Sequence, residues 1–390
     1  MKEVLIIENL GPIKKMIFEF KKINILIGDQ GTGKSLVAKT LIAVRNSMFV
    51  DIFDIEPSAT IDNETLRFFE HMRLVGVFNY ITDKTRIEYQ HREGLLVFSD
   101  KKAVVSRHNF SIGEILPPSF NYIPAERNMV SVLADSLYAL LEIGAVLPKL
   151  FLRFGNKYQS ARKMQENFDY TDILGIQFQH RNNTDFIVTS DNTVINFSDA
   201  SSGIQGCVAL LTVVDNVMYT QILSGRRIIP SEVSLNLLAI EEPELNLFPA
   251  TQKKLLNYII ANNFVNIDSD DIVNAKLDVT SKPFEKICKN QLLITTHSPY
   301  ILTSLNNLMY AFSVGQNKEQ EVNKIVEEHY WINPDDVSAY MLLSNGECED
   351  IFDRNENLIN AEKIDSVSTI INIEFDKLIN LEIGNTDEKS

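Results

Sequence analysis

The sequence predicts an α/β fold with a mixed central sheet, and three observations support this fold class. Two runs, LNLLAIEE at 235–242 and QLLITTH at 291–297, are short and apolar and end in polar residues, as parallel strands do at their carboxyl ends. A third run, INILIG at 23–28, is almost wholly apolar and leads into a glycine-rich loop. The residues after that loop, 35–49, carry apolar side chains at helical spacing, which predicts a strand–loop–helix unit.

Local patterns predict the elements around this sheet. VLIIENL at 4–10 and MIFEF at 16–20 predict two strands joined by a turn at Gly11 and Pro12. Alternating stretches between residues 50 and 120 predict antiparallel hairpins, and so an antiparallel β subdomain. Residues 128–170 have helical periodicity with a break at Pro148, which favours a helical insertion over about 128–198.

The last fifty residues predict a hairpin followed by a helix. Asn345-Gly346, between AYMLLS and ECEDIFD, is typical of a two-residue type I′ turn. Apolar residues at helical spacing then predict an amphipathic helix: Ile364, Val367, Ile371, Phe375 and Leu378. We therefore divide the chain into a head, residues 1–344, and a C-terminal hairpin and acidic helix, residues 345–390. Packing of this helix on the head is the favoured interpretation, and a partner-binding face is the alternative.

The composition is that of a globular protein, with 45% hydrophobic and 23% charged residues. The apolar runs are far shorter than the roughly 18 residues of a membrane span, and the N-terminus is not typical of a signal peptide. Three cysteines lie far apart, which disfavours a disulfide framework or a zinc site. We expect a soluble, cytoplasmic protein without a membrane partner. The net charge of −15 disfavours avid non-specific binding of nucleic acid, although a local basic patch remains compatible with it.

The glycine-rich loop carries the most specific motif in the chain. GDQGTGKS at 28–35 matches G-x-x-x-x-G-K-S between a predicted strand and a predicted helix. In such a loop, main-chain amides and the helix N-terminus bind phosphates, Lys34 reaches the β- and γ-phosphates, and the Ser35 hydroxyl ligates Mg²⁺. A chance glycine turn is the alternative. The predicted cofactor-binding residues here are Gly28, Asp29, Gln30, Gly31, Thr32, Gly33, Lys34, Ser35 and Leu36.

Two later strands end in groups suited to hydrolysis. Glu241 and Glu242 stand side by side at the end of one strand, where an unpaired buried carboxylate pair would be costly without a cation. We expect Glu241 to hold the metal through water and Glu242 to polarise the attacking water. His297 follows the other strand, and its place beside a phosphate site favours a catalytic role over a structural one. Together with Lys34, Glu242 and His297 are the predicted catalytic residues.

Two further motifs are less specific. SSGIQ at 201–205 precedes an apolar run of helical length, so that its amides could bind an anion, but an ordinary serine cap is the better interpretation of this motif alone. YIPAER at 122–127 ends a predicted strand, and Glu126 and Arg127 are interpreted as a salt-bridged corner.

The five motifs in this order resemble the ATP-binding-cassette (ABC) ATPases of the SMC and RecF class, and more narrowly the ATPase module of the overcoming-lysogenization-defect (OLD) family. The resemblance implies an ABC-ATPase head: a P-loop NTPase fold with Walker A at 28–35, Walker B at 237–242 and a switch histidine at His297. It also implies that two heads sandwich ATP and Mg²⁺ as a homodimer or higher homo-oligomer. The signature residues that cap the partner's γ-phosphate are then Ser201, Ser202, Gly203 and Gln205.

The chain departs from the family pattern at three places. Glu241 replaces the usual metal-site aspartate, a variation that the OLD-like branch shares, and Asn246 stands where a histidine is common. Full OLD proteins continue into a Toprim nuclease domain, whose acidic motif we do not find after His297.

The sequence does not single out the aromatic residue that stacks on the adenine base. The candidates are Phe18, Phe20 and Phe49, and none has a distinctive spacing.

Standalone ATPases of this kind resemble the ATPase partners of anti-phage systems such as PARIS and Septu. The resemblance implies an ATP-driven sensor or scaffold whose ATP state controls a separate effector, a Toprim-type nuclease or a toxin. A RecF- or SMC-like ATPase of DNA repair or maintenance is the main alternative. The nucleotide-binding subunit of a transporter is a third, and EEPELNLFP does not resemble that branch.

Overall fold

The computed structural model describes residues 2–49, 62–107, 119–133, 144, 146–225, 234–264 and 288–360. The helix predicted from Ile364 to Leu378 lies outside these residues. In chain order the strands are β1 (Glu3–Leu10), β2 (Ile13–Phe20), β3 (Ile23–Gly28), β4 (Arg86–His91), β5 (Gly94–Ser99), β6 (Lys102–Arg107), β7 (Ser119–Ile123), β8 (Asn167–Tyr170), β9 (Ile176–Arg181), β10 (Thr184–Thr189), β11 (Val194–Asn196), β12 (Ser234–Glu241), β13 (Cys288–Thr296), β14 (Val337–Leu342), β15 (Cys348–Asp350), β16 (Phe352–Asp353) and β17 (Leu358–Ile359). The helices are α1 (Lys34–Phe49), α2 (Asn63–Leu74), α3 (Met129–Leu133), α4 (Lys149–Met164), α5 (Thr171–Leu174), α6 (Ser202–Gly225), α7 (Pro249–Phe264) and α8 (Pro299–Asn323).

The central sheet contains six strands in the order β15-β14-β3-β13-β12-β7. The strands from β14 to β7 run parallel, and β15 pairs antiparallel at one edge. Glu241 lies opposite Thr295, and Thr296 lies opposite Ile27, so that the carboxyl ends of β12, β13 and β3 meet. The prediction of a mixed sheet with these three strands in its core is confirmed.

The predicted antiparallel β subdomain is a second sheet, of order β2-β1-β4-β5-β6. Helix α1 lies between the two sheets, and its buried residues share an apolar cluster with Leu5 of β1, Phe98 of β5 and Leu293 of β13. A helix enclosed in this way has to be apolar on nearly all sides, and α1 is buried at most of its positions. The strand–loop–helix unit therefore anchors the candidate phosphate loop on a rigid core.

Helices α4, α6, α7 and α8 share a second apolar cluster with β12, β13 and β14. The Ser298 hydroxyl caps α8 by accepting a hydrogen bond from the Tyr300 amide at 3.2 Å, and Pro299 occupies the first turn. Within the residues described, none of the helices is both long enough and apolar enough to cross a bilayer.

The insertion predicted to be helical over 128–198 is helical only in part. Helix α4 begins directly after Pro148, the residue at which the sequence predicts a break. Strands β8–β11 form a four-stranded antiparallel sheet, so the prediction is wrong for residues 167–196. Burial alternates along β9, the period of a strand. Asn182 and Asn183 both have positive φ, 51° and 61°, in a two-residue loop between β9 and β10.

The hairpin around Asn345 is confirmed, but its predicted type I′ turn is not. Five residues separate β14 from β15, and Gly346 has positive φ, 86°, whereas Asn345 does not. The Gly346 amide donates to the Leu343 carbonyl at 3.0 Å, and the Leu343 amide donates to the Glu347 carbonyl at 2.9 Å. This is a type I turn closed by a left-handed glycine. A Cβ on Gly346 would lie 2.5 Å from the Pro12 carbonyl oxygen, so the close approach to the β1–β2 turn also requires glycine.

Candidate functional site

The candidate phosphate loop joins β3 to α1, as the sequence predicts. Gly28, Gly31 and Gly33 have φ of 150°, 76° and 103°, values that favour glycine. A Cβ on Gly28 would collide with the Leu342 carbonyl oxygen of the neighbouring strand. Lys34 opens α1 and donates from Nζ to the Gly28 and Asp29 carbonyls at 2.7 and 2.8 Å. Burial lowers the pKa of Lys34 from its usual value, although Glu242 nearby favours the charged form.

The remaining loop residues divide into exposed and buried groups. Asp29 and Gln30 are exposed, and the Thr32 hydroxyl donates to the Asp29 carbonyl at 2.8 Å, which closes the loop. Ser35 is half-buried on the first turn of α1, and Leu36 is buried in the core behind it. The loop is therefore braced internally, and its amides and Ser35 lie at the start of a long helix, where the helix dipole favours an anion.

Glu241 is a buried carboxylate that lacks a full set of partners. Its side chain is 3% exposed. Oε2 accepts a long hydrogen bond from the Ala125 amide at 3.4 Å, and Oε1 has no hydrogen-bond partner among the residues described. A cation would offset the cost of this orphaned oxygen. No cluster of three metal-ligating side chains occurs in the described part of the chain. Mg²⁺, which is typically bound through one or two carboxylates and substrate phosphates, fits this donor set.

Glu242 occupies a strained backbone position beside His297. Its φ is 43°, in the left-handed region that side-chain-bearing residues rarely adopt, and such strain concentrates at functional sites. The Glu242 amide donates to the Thr295 carbonyl at 2.8 Å. Glu242 Oε1 and His297 Nε2 are 3.3 Å apart, and both side chains are half-buried. A carboxylate and an imidazole in contact at a strand end can share or move a proton.

Glu244 positions His297, a role that the sequence analysis did not assign. Glu244 Oε1 accepts hydrogen bonds from the Thr296 hydroxyl and from the His297 amide, both at 2.7 Å. The third acid of EEPE, Glu244, could have suggested a partner for the TTHSPY loop. No spacing in the sequence indicates which residue of that loop it contacts. The contact ties the end of β12 to the end of β13.

The structure brings Lys34, Ser35, Glu242 and His297 together around one pocket of about 400 Å³. Other lining residues are Pro12, Gln30, Gly31, Gly33, Leu36, Lys39, Gly76 and Tyr80. The three aromatic residues considered for base stacking, Phe18, Phe20 and Phe49, are all buried in the apolar core, so none is available. Tyr80 is instead 48% exposed at this pocket and lies beside Gly11, whose amide donates to the Tyr80 carbonyl at 3.3 Å.

The SSGIQ residues do not line this pocket. Ser201 and Ser202 are exposed where α6 begins, and Gly203 lies so close to the Asn246 carbonyl oxygen that a Cβ would collide with it. Gln205 differs from the prediction: it is buried, and its amide nitrogen donates to the carbonyls of Phe197 and Ser198 at 3.2 and 2.8 Å. Within one chain Gln205 therefore supports the loop before α6 and does not face a ligand.

Arg127 is not part of a salt-bridged corner, and that interpretation is wrong. It is 1% exposed, and its guanidinium group donates to main-chain carbonyls. The acceptors and distances are Gly206 at 3.2 Å, Pro124 at 3.2 Å, Glu241 at 2.7 Å, Glu242 at 2.8 Å and Pro243 at 3.3 Å. Glu126, the neighbouring residue, is exposed. No pattern in the sequence predicts an arginine that binds several main-chain carbonyls.

A family model for an AAA ATPase domain matches residues 153–302, less than half of the chain but a stretch that contains SSGIQ, EEPE and His297. No curated protein matches the sequence. Among solved structures, the SMC head domain from Thermotoga maritima has 10% identity and a TM-score of 0.35, over 78% of this chain and 91% of that one. The Pyrococcus furiosus Smc head domain bound to the C-terminal domain of ScpA has 11% identity and a TM-score of 0.43, over 95% and 99%. The recombination mediator RecF with ATP has 11% identity and a TM-score of 0.35, over 76% and 94%.

The architecture is the α/β fold with a mixed central sheet that the sequence predicts. A mixed α/β central sheet carries the phosphate loop between β3 and α1, and an antiparallel β subdomain covers the other face of α1.

Proposed function

We propose that this chain binds and hydrolyses ATP with Mg²⁺. One observation carries the proposal: four groups suited to phosphoryl transfer, Lys34, Ser35, Glu242 and His297, line one pocket beside the buried carboxylate of Glu241. Catalysis of phosphoryl transfer rests mainly on positioning and on stabilising charge, and this set supplies both.

Each group has a distinct role in the proposed reaction. The amides of the 28–35 loop and Lys34 hold the β- and γ-phosphates. Ser35 and Glu241 would hold Mg²⁺, which would supply charge stabilisation for the transferred phosphoryl group. Glu242 accepts a proton from the attacking water, and His297, 3.3 Å from Glu242, steadies the water and the γ-phosphate.

Tyr80 is the proposed platform for the adenine base. Stacking of a base on an aromatic side chain is worth about 1–3 kcal/mol, and about 1.4 kcal/mol is tenfold in affinity. Tyr80→Ala is therefore expected to raise the KM for ATP at least about fivefold with little change in kcat, whereas Tyr80→Phe keeps the ring and the wild-type KM. Steady-state kinetics measure both.

Tyr310→Ala is the matched control, because Tyr310 is 62% exposed on α8 and does not line the pocket. An unchanged KM in Tyr80→Ala would remove Tyr80 from the binding site without affecting the proposed hydrolysis.

The active form is proposed to be a homodimer or a higher homo-oligomer with ATP between two heads. Ser201 and Ser202 are exposed at a helix N-terminus but do not line their own chain's pocket. Presenting them to the pocket of a second copy would complete each site with anion-binding amides. Gly203 contributes by allowing α6 to pack against Asn246.

At the level of the cell, we propose a sensor or scaffold subunit of an anti-phage defence system whose ATP state controls a separate nuclease or toxin. The order of the motifs and the net charge of −15, which suits a basic protein partner better than DNA, support this role. A RecF- or SMC-like role in DNA repair or maintenance is supported equally by the fold.

A pull-down separates these two roles. Tagged Glu242→Gln, expressed in the native host and captured with ATP and Mg²⁺, should retain a stoichiometric nuclease or toxin-like protein, which mass spectrometry identifies. Lys34→Ala as bait controls for ATP-independent capture. Recovery of DNA without a protein partner would contradict the defence role and favour the DNA-maintenance role.

A further inference from the structure

Arg127 joins three segments of the chain through one buried side chain. Its five N–H groups donate hydrogen bonds to five main-chain carbonyls. One acceptor, Pro124, belongs to its own turn, three belong to residues 241–243 at the end of β12, and one, Gly206, belongs to the second turn of α6. The guanidinium group therefore bridges the candidate catalytic carboxylates and the start of the SSGIQ helix.

We infer that Arg127 is a positioning residue that couples the geometry of Glu242 to the position of α6, and so couples the two nucleotide sites of a dimer. The inference rests on the proposed ATPase function. In that dimer, Glu242 serves the chain's own pocket, whereas Ser201 and Ser202 serve the pocket of the second copy. Arg127 contacts both elements, so a shift of Glu242 is transmitted to the start of α6. Hydrolysis in the chain's own pocket is thereby linked to capping of the pocket in the second copy.

The contacts on the β12 side fix the backbone of Glu242 directly. The Glu241 and Glu242 carbonyls, at 2.7 and 2.8 Å from Arg127, belong to the peptide units on either side of the Glu242 Cα. Holding both peptide units holds φ and ψ of Glu242, whose φ of 43° is otherwise unfavourable. The direction of the Glu242 side chain toward His297 thus depends on Arg127.

On the α6 side Arg127 makes one longer hydrogen bond, from Nε to the Gly206 carbonyl at 3.2 Å. Gly206 lacks a side chain where Arg127 passes, and a Cβ there would lie 3.9 Å from Arg127 Nε. Gly203, one turn earlier, packs against the Asn246 carbonyl oxygen in the loop that follows Pro243. Helix α6 is therefore linked to the loop after β12 in two ways, directly at Gly203 and through Arg127 at Gly206.

Arg127 also differs from the buried arginines that serve stability. Arg45 pairs with the Glu3 carboxylate, and Arg162 pairs with Asp185 at 2.5 Å. Arg127 instead directs all of its donors to main-chain oxygens, at a position where the main chain carries the candidate catalytic groups. Its geometry suits the control of backbone conformation.

Arg127→Lys tests the inference, because lysine keeps the charge but cannot span the five acceptors. We expect kcat for ATP to fall about 10- to 100-fold, the range typical of residues that hold a metal-site ligand, with the Kd of a non-hydrolysable ATP analogue changed less than about twofold. Hydrogen exchange in the nucleotide-free protein should rise together at 241–246 and at 202–207. Arg127→Gln gives the same readouts with a neutral side chain.

Arg45→Lys is the matched control, since Arg45 is also 1% exposed. It should lower the melting temperature without raising exchange at either segment or changing kcat in the folded protein. The coupling would be overturned if Arg127→Lys kept the wild-type kcat and the wild-type hydrogen exchange. It would also be overturned if exchange rose at only one of the segments 241–246 and 202–207. The exchange measurement needs no activity, so a wild-type chain that fails to hydrolyse ATP would contradict the proposed function and leave the coupling to be decided by exchange.

Discussion

Lys34→Ala is expected to lower kcat for ATP by at least about 100-fold, the typical cost of removing one preorganised group that stabilises developing charge. Lys34 is buried at the start of α1, and its ammonium group already lies within hydrogen-bonding distance of the loop that surrounds the phosphates. Alanine leaves the glycine conformations of the loop intact but removes the one lysine in the motif. A coupled assay of phosphate release measures the loss, and titration with a fluorescent ATP analogue measures binding.

The melting temperature of Lys34→Ala should not fall, because a buried ammonium group costs desolvation energy in the folded protein. Lys39→Ala is the control: Lys39 lines the same pocket one turn later, outside the loop, and its loss should change KM more than kcat. Near-wild-type kcat in Lys34→Ala would contradict the assignment of residues 28–35 as a phosphate-binding loop.

Glu242→Gln is expected to lower kcat by about 10²- to 10⁴-fold while ATP binding persists. The glutamine amide has the size of the carboxylate and can still face His297, but it cannot accept the proton of the attacking water. Because hydrolysis is blocked after binding, ATP should hold two heads together. Light scattering of Glu242→Gln with ATP and Mg²⁺ should then show twice the mass of one chain. Without ATP the measured mass should be lower than with it.

Glu244→Gln controls for the loss of a negative charge two residues away. Its side-chain oxygen can still accept from the Thr296 hydroxyl and the His297 amide, so its kcat should stay within about tenfold of the wild-type value. Equal losses in the two variants, or normal turnover in Glu242→Gln, would place the general base elsewhere.

The parts of the site that follow from short segments could be predicted from the sequence. The glycine spacing, the strand before it and the helix after it identify the loop at 28–35, because each depends on residues a few positions apart. The same is true of Glu242 and His297, which follow apolar strands. That these strand ends meet was expected from the general behaviour of parallel sheets, and the register of β12, β13 and β3 confirms it.

The parts that depend on approach between distant segments could not be predicted. Four of the five acceptors of Arg127 and both donors to Glu244 lie more than fifty residues away in the chain. All but the Thr296 hydroxyl are main-chain groups, which leave no mark on the sequence pattern. Tyr80 reaches the pocket from a short turn that has no period. The sheet at 167–196 was not predicted because its tight turn uses Asn182-Asn183, whereas the more conspicuous Asn345-Gly346 forms a longer loop.

The most direct test of the account is phosphate release from ATP by the purified wild-type chain, beside Lys34→Ala and Glu242→Gln prepared in the same way. The wild type should release phosphate in a Mg²⁺-dependent manner and either variant almost none, with ATP still bound by Glu242→Gln. Equal release by all three proteins, or tight binding of ATP by the wild type without any release, would contradict hydrolysis at this pocket.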